Sequence, residues 1–162
     1  MVMHSGQRTS RLVSMSPDRP DPAFSRWVQE LPRAVTSDSL WRLKCYQHAL
    51  FLFSLSREDA IAIHHARPFG AVAEQLARSV GSIPANMAEA YGRPTNSDRI
   101  RFFSYALGSV REATAWYDGA RAVLDPDQVA DRLERLSRVR AMLIGLLARL
   151  HGGTPNKKLE PW

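Results

Sequence analysis

From residue 39 onward, apolar side chains recur every three or four positions, the spacing of the buried face of an amphipathic helix. Four segments with this pattern predict helices over about 39–56, 69–91, 97–124 and 126–151. No alternation of apolar and polar residues indicates a strand, and the connections between the segments are short. The pattern therefore predicts an all-α fold, an up-and-down antiparallel four-helix bundle.

Residues with helix-capping chemistry mark the ends of these segments. Gly92, with a proline two positions later, predicts a glycine C-cap for the second helix. Asn96 or Ser97 is expected to cap the start of the third helix, and Asp125, which precedes a proline, begins the fourth. The polar run 57–59 predicts a loop after the first helix.

Pro84 lies inside the second predicted helix, where it removes a backbone N–H and clashes with the preceding turn. It therefore predicts a kinked second helix, with Asn86 among the groups near the freed carbonyl. Small residues around it would let a neighbouring helix pack closely. Glu89 is expected to form a structural ion pair with Arg101 or Arg111 on the third helix.

The composition fits one main domain with extensions at both ends. Residues 1–38 are rich in proline, serine and arginine and predict a mostly disordered, flexible N-terminal extension, with a short amphipathic helix within Ala23–Leu31. Residues 39–151 form the predicted bundle, and residues 152–162 form a basic C-terminal tail. No segment resembles a membrane span or a targeting sequence, so we expect a soluble, cytoplasmic protein.

Candidate chemistry is sparse. The single cysteine, Cys45, excludes an intramolecular disulfide and is expected to be a small buried residue of the core. His64 and His65 are adjacent and would diverge by about 100° on a helix, so they predict no metal site. Without a nucleophile–base pair or a phosphate-binding loop, the sequence predicts a protein that is not an enzyme and has no cofactor.

Basic residues outnumber acidic ones by 22 to 16, which gives a formal net charge of +6. Most are arginines, which bind phosphate groups well, although GC-rich coding produces the same bias. Arg93, Arg99 and Arg101 cluster around the turn between the second and third helices. They predict a nucleic-acid-binding patch, with Lys157 and Lys158 in the tail as additional contacts.

The fourth helix carries a second series of arginines, but acidic residues accompany them. Asp131 precedes Arg135 by four positions and Glu134 precedes Arg138 by four, a spacing typical of ion pairs within a helix. The whole series, Arg132, Arg135, Arg138 and Arg149, has the spacing of a phosphate-binding row, but these pairs neutralise part of its charge, so we expect a solvated face instead.

The third helix carries two apolar stripes, although a helix in a monomeric bundle needs only one. Phe102, Tyr105 and Trp116 form the second stripe, which either packs on another subunit or stacks on bases. Phe51 and Leu52 of the first helix fall outside its narrowest core stripe. These five residues are the predicted interface of a homo-oligomer.

Two motifs resemble those of a known family. The run SIPANMAEAYGR over Ser82–Arg93 is similar to a motif of the four-helix bundle proteins encoded in intervening sequences of bacterial 23S rRNA genes. Arg101–Phe103 and Ala106–Glu112 are similar to that family's second motif. The resemblance covers roughly Leu40–Leu150 and departs at Ala90, where the family usually has glycine, and in the long N-terminal extension.

The resemblance implies a four-helix bundle that assembles as a homopentamer and has no established enzymatic activity. A related branch comprises accessory proteins of diversity-generating retroelements, which bind a reverse transcriptase and nucleic acid. The sequence thus favours a non-catalytic oligomer that binds RNA or DNA with little sequence preference. The alternative is a protein-binding adaptor, such as a reverse transcriptase accessory protein.

Overall fold

The computed structural model describes residues 21–152, which are helical apart from short connections and include no strand. The described residues divide into two compact units, one that ends at Glu30 and one that begins at Leu31. In the described part of the first unit, α1 spans Pro22–Glu30 and buries none of its residues. The Asp21 carboxylate caps it by accepting hydrogen bonds from the backbone of the first turn. The short helix predicted in the N-terminal extension is confirmed, and residues 1–20 of that extension lie outside the described residues.

The second unit contains four long helices. Its elements are α2 (Arg33–Thr36), a 3₁₀ turn (Ser39–Arg42), α3 (Lys44–His65), α4 (Gly70–Gly92), α5 (Asn96–Gly119), a 3₁₀ turn (Ala120–Ala122) and α6 (Pro126–Gly152). Helix α3 contacts α4 and α6, and α5 contacts the same two helices. The all-α prediction is confirmed, and this neighbour pattern is consistent with the predicted bundle. Among the described residues, no helix combines the length and apolar character needed to cross a bilayer.

The first long helix is longer than predicted. Residues 57–59, expected in a loop, lie inside the 22-residue helix α3. The prediction was wrong because it treated Asp59 as a solvated residue, whereas this side chain is completely buried.

The start of α6 agrees with the prediction, because Oδ1 of Asp125 accepts hydrogen bonds from the backbone N–H groups of Asp127 and Gln128.

Helix α4 continues through Pro84 from Gly70 to Gly92. The Asn86 side-chain amide donates a hydrogen bond of 2.9 Å to the Ser82 carbonyl, close to the proline. The kink itself stays a prediction. A side chain of a neighbouring helix lies close to this part of α4, because a Cβ atom built on Gly81 would lie only 3.1 Å from the Phe53 ring of α3.

Two of the predicted interface residues belong to the interior of the single chain. Phe51 and Leu52 are 3% and 0% exposed, so their assignment to an oligomer interface was wrong. The reason is that α3 packs between α4 and α6, which gives it a buried face wider than one narrow stripe. The guanidinium of Arg135 on α6 lies 4.9 Å from the centroid of the Phe51 ring.

A buried polar cluster joins three helices. Oδ2 of Asp59 on α3 accepts hydrogen bonds from the Tyr117 hydroxyl of α5 at 2.7 Å and from Nε of Arg132 on α6 at 2.8 Å. Oδ1 accepts a hydrogen bond from the Gln128 side chain, one turn before Arg132. The carboxylate therefore has donors on both oxygens, as a buried charge requires.

The partners of Asp59 are held in the protonation states that the cluster needs. Burial and then the negative charge of Asp59 raise the pKa of Tyr117, which keeps its hydroxyl a donor. Burial opposes the charged form of Arg132, but the hydrogen bonds and charge of Asp59, with smaller contributions from Asp131 and Tyr117, more than offset it, so the pKa of Arg132 is raised. Asp59 therefore faces a charged guanidinium and a neutral hydroxyl that can both donate hydrogen bonds to it.

Two arginines on α6, Arg132 and Arg135, are largely buried instead of lying on a solvated face. The Arg132 and Arg135 side chains are only 13% and 12% exposed, so the expectation of solvation was wrong for both. The predicted pair between Asp131 and Arg135 is confirmed at 2.8 Å, and Asp131 also pairs with Arg132. Sequence spacing identified the ion pair correctly, but not the side of the helix that is buried.

The cluster also fixes which helix ends meet. Asp59 lies near the end of α3, Tyr117 near the end of α5, and Arg132 near the beginning of α6. The beginnings of α3 and α5 and the end of α6 therefore lie away from the cluster, at the other end of these long helices. The three-residue connection from α4 places the end of α4 at that second end as well.

Replacement of Asp59 by alanine should destabilise the protein by about 3 kcal/mol or more, because it leaves the buried Arg132 without its main counter-charge. Glu58→Ala is the matched control, since the neighbouring Glu58 is exposed on the same helix and should change stability by no more than about 0.5 kcal/mol. Urea unfolding of both variants measures the difference. Equal losses of stability would contradict the role assigned to Asp59.

Candidate nucleic-acid interface at the turn between α4 and α5

The turn between α4 and α5 is built by a proline and a threonine. Gly92 is the last residue of α4, and the described glycines include none with positive φ, so the predicted glycine C-cap was wrong. Arg93 caps the helix instead, with an extended backbone (ψ 137°) that suits a residue before a proline. Thr95 then begins α5, because its Oγ1 accepts a hydrogen bond from the backbone N–H of Asp98.

This cap differs from the predicted Asn96 or Ser97. The signal was present in the sequence, because Thr95 and Asp98 have the spacing of a capping box. The Thr95 hydroxyl also donates a 2.8 Å hydrogen bond to the Asp98 carboxylate. Arg99 secures the turn from the other side, since its Nε donates a 2.7 Å hydrogen bond to the Arg93 carbonyl. A short turn, held by these hydrogen bonds, therefore brings the three predicted arginines together.

Two of the arginines form ion pairs within their own segments. Arg93 pairs with Glu89, four positions earlier, and Arg101 pairs with Asp98 at 2.9 Å. The expected pairing of Glu89 with Arg101 or Arg111 across helices was wrong, because Arg93 at the end of α4 reaches Glu89 first. Arg111 is exposed on α5. The ion pairs at the turn are partly exposed, so solvent weakens them.

The ring of Phe102 organises the cluster. The guanidinium carbons of Arg93 and Arg101 lie 4.7 and 5.4 Å from its centroid, the geometry of cation–π contacts. Nε of Arg93 is buried without a hydrogen-bond partner, which is consistent with a guanidinium held against an apolar ring. The ring of Tyr105 meets Phe102 edge-on at 5.7 Å. We call Arg93, Arg99, Arg101, Phe102 and Tyr105 the arginine–aromatic cluster.

The second stripe of α5 is only partly available to another molecule. Phe102 and Trp116 are half-buried against the core, and Nε1 of Trp116 donates a hydrogen bond of 3.3 Å to Glu112. Tyr105 is 53% exposed, so it offers the largest free apolar surface of the three. Lys157 and Lys158 lie outside the described residues. Within residues 21–152 no group of three or more histidine, cysteine or acidic side chains is arranged to hold a metal ion.

Comparisons with known proteins agree with this all-helical fold. The chain belongs to the 23S rRNA-intervening sequence protein family, whose model matches residues 42–145. It is also similar to the crystal structure of a protein of unknown function from the S23 ribosomal protein family of Bacteroides thetaiotaomicron. That match has a TM-score of 0.60 and 18% identity, and covers 64% of this chain and 97% of the other. At this identity the match supports the fold alone. Among curated proteins, none matches significantly.

Replacement of Thr95 by alanine should reduce the free energy of unfolding by about 1 kcal/mol, because it leaves a backbone N–H of the first turn of α5 without its acceptor. Ser97→Ala, two positions later, should change stability by no more than about 0.5 kcal/mol. Thermal or urea unfolding of the pair measures this. A larger loss for Ser97→Ala would mean that the cap lies where the sequence pattern first put it.

Proposed function

We propose that the protein is an antiparallel four-helix bundle that assembles into a homo-oligomer, with five subunits as the family resemblance implies. We further propose that this oligomer binds RNA or DNA without catalysing a reaction and with little sequence preference. The observation that carries the proposal is the arginine–aromatic cluster. It holds the guanidinium groups of Arg93 and Arg101 on one ring, directly beside the exposed Tyr105.

Arginines arranged in this way suit phosphate groups. Contact with the Phe102 ring restricts the side chains of Arg93 and Arg101, so less conformational freedom is lost when their N–H groups bind an anion. Arg99 has a different role, because its hydrogen bond to the Arg93 carbonyl holds the turn in place. Contacts of this kind go to the backbone of a nucleic acid and carry no sequence information.

The small net charge of the arginine–aromatic cluster in one chain explains why assembly would strengthen the binding of nucleic acid. Glu89 and Asp98 partly neutralise the three arginines, which leaves one net positive charge in each cluster. A single charge gives a weak field, but a ring repeats it on every subunit and binds through several contacts at once. Because Tyr105 touches Phe102, a subunit contact at Tyr105 would bring neighbouring clusters close together.

Binding to a generic single-stranded RNA and a generic duplex DNA, measured by fluorescence anisotropy between about 50 and 200 mM salt, tests the proposal. The affinity should fall steeply as the salt concentration rises. The double variant Arg93→Gln, Arg101→Gln should bind more weakly and lower the slope of log affinity against log salt by about two for each engaged subunit. Arg99 is left intact in this variant because of its role in the turn.

A control variant with the same change of charge is available. Arg57 and Arg78 are exposed on α3 and α4, and replacing both with glutamine should change affinity and salt slope much less than the cluster variant does. Arg93→Lys with Arg101→Lys keeps the charge and removes the planar guanidinium, so it should fall between the wild type and the glutamine variant. Equal losses in the two glutamine variants would show that only total charge matters, and would contradict the proposed site.

The oligomer has its own test. Tyr105→Glu should dissociate the assembly, because it places a charge in an apolar subunit contact, while the unfolding midpoint changes little because Tyr105 is exposed in a single chain. Sedimentation velocity and urea unfolding measure the two effects. The Arg93→Gln, Arg101→Gln variant should keep the wild-type size. A wild-type protein that is monomeric at micromolar concentration would refute this part of the proposal.

The low net charge of the cluster also supports the alternative of a protein-binding adaptor, such as an accessory protein of a reverse transcriptase. In that case the exposed Tyr105 surface would contact a protein partner, and binding would depend little on salt. Absence of binding to either nucleic acid at low salt would favour the adaptor.

A further inference from the structure

A cavity of about 320 Å³ lies between the beginning of α3 and the end of α6. This volume is near the lower limit of about 300 Å³ for small-molecule pockets. The cavity is separate from the buried cluster of Asp59, which lies at the opposite ends of these two helices. Neither the family resemblance nor the arginine–aromatic cluster uses it.

Three basic side chains line the cavity. Arg42 belongs to the 3₁₀ turn before α3, Lys44 to the first turn of α3, and Arg149 to the last turns of α6. No acidic residue of the described chain is among its lining residues. Nζ of Lys44 donates a hydrogen bond to the neutral Gln47 side chain, which leaves its charge uncompensated by that contact. The polar part of the lining therefore has the chemistry of an anion-binding site.

The remaining walls of the cavity are apolar. Leu43 and Cys45 contribute from the α3 side, and Met142 and Leu146 from α6. Burial raises the pKa of the Cys45 thiol to about 11, so the thiol is neutral near pH 7 and behaves as part of this wall. The predicted burial of Cys45 in the core is confirmed. A ligand that fills the cavity needs an apolar body behind its anionic group.

Gly145 leaves room for that body. It lies on α6 among the lining residues, and a Cβ atom built on it would meet no atom within 4 Å other than those of its chain neighbours and of the backbone of its own helix. A larger side chain at this position could therefore be placed without a clash and would occupy space beside the cavity. Gly108 on α5 also has open space around its Cβ position and does not line the cavity, so it is a matched control.

We propose that this cavity binds a small phosphate monoester with a compact apolar body, with its phosphate held by Arg42, Lys44 and Arg149 and its body on the wall of Leu43, Met142 and Leu146. A phosphate monoester carries between about one and a half and two negative charges near pH 7, which suits three cations better than a carboxylate does. The inference goes beyond the proposed binding of nucleic acid and does not depend on it.

The test uses three probes at matched ionic strength: phenyl phosphate, inorganic phosphate and benzyl alcohol. Dissociation constants are measured on the full chain by NMR titration, with the backbone amides of Cys45 and Gly145 as reporters. Phenyl phosphate should bind at least about tenfold more tightly than either fragment, because it alone makes both the ionic and the apolar contacts. The double variant Arg42→Gln, Arg149→Gln should weaken its binding by about tenfold or more.

Two controls make the result specific. Arg57→Gln with Arg78→Gln removes the same charge from residues that do not line the cavity, and should change the dissociation constant by less than about twofold. Gly145→Leu should abolish binding of phenyl phosphate and keep all three cations, whereas Gly108→Leu should leave binding unchanged. Thermal unfolding of each variant establishes that it is folded.

Three results would overturn the inference. Phenyl phosphate that binds no more tightly than inorganic phosphate would indicate a surface anion site without a pocket. Equal binding to Gly145→Leu and the wild type would place the ligand elsewhere. If Arg42→Gln, Arg149→Gln and Arg57→Gln, Arg78→Gln weakened the binding of phenyl phosphate equally, the loss would come from the change of net charge and not from a specific site.

Discussion

The carboxylate of Asp59 is buried and needs hydrogen-bond donors inside the protein. The relative orientation and register of three helices depend on that requirement. An unpaired charge at this depth would cost several kcal/mol. Its donors come from α5 and α6, on Tyr117, Gln128 and Arg132. These three helices therefore fit together in one rotation and one longitudinal position. A register shifted by one turn would leave a buried guanidinium or hydroxyl without its partner.

Much of the helical structure could be predicted from the spacing of apolar residues, because that spacing reports which residues are buried together. The proline after Asp125 and the short polar connections located the start of α6 and the turn after α4. The extent of α3 could not be predicted in the same way. Asp59 has the chemistry of a solvated residue, and only partners about 60 to 70 positions away in the sequence make its burial possible.

The candidate interface was predictable in part. The position of the arginines beside the turn follows from the sequence, since Arg93, Arg99 and Arg101 flank a proline that interrupts the helices. Their partners could also have been predicted, because Glu89 lies four positions before Arg93 and Asp98 three positions before Arg101, the spacing of ion pairs within a helix. The prediction failed because it sought a partner for Glu89 on a different helix. The cavity left no signal in the sequence. Its basic residues come from both ends of the predicted bundle segment, and Gly145 shows no special pattern.

The buried thiol of Cys45 has a consequence for how any assembly of this protein is held together. Cys45 is the chain's single cysteine, it is buried, and its raised pKa keeps it protonated at neutral pH. Disulfide exchange requires an accessible thiolate, so folded chains have no ready covalent route to one another. Self-association of the folded protein would accordingly rest on non-covalent contacts and be insensitive to reductants.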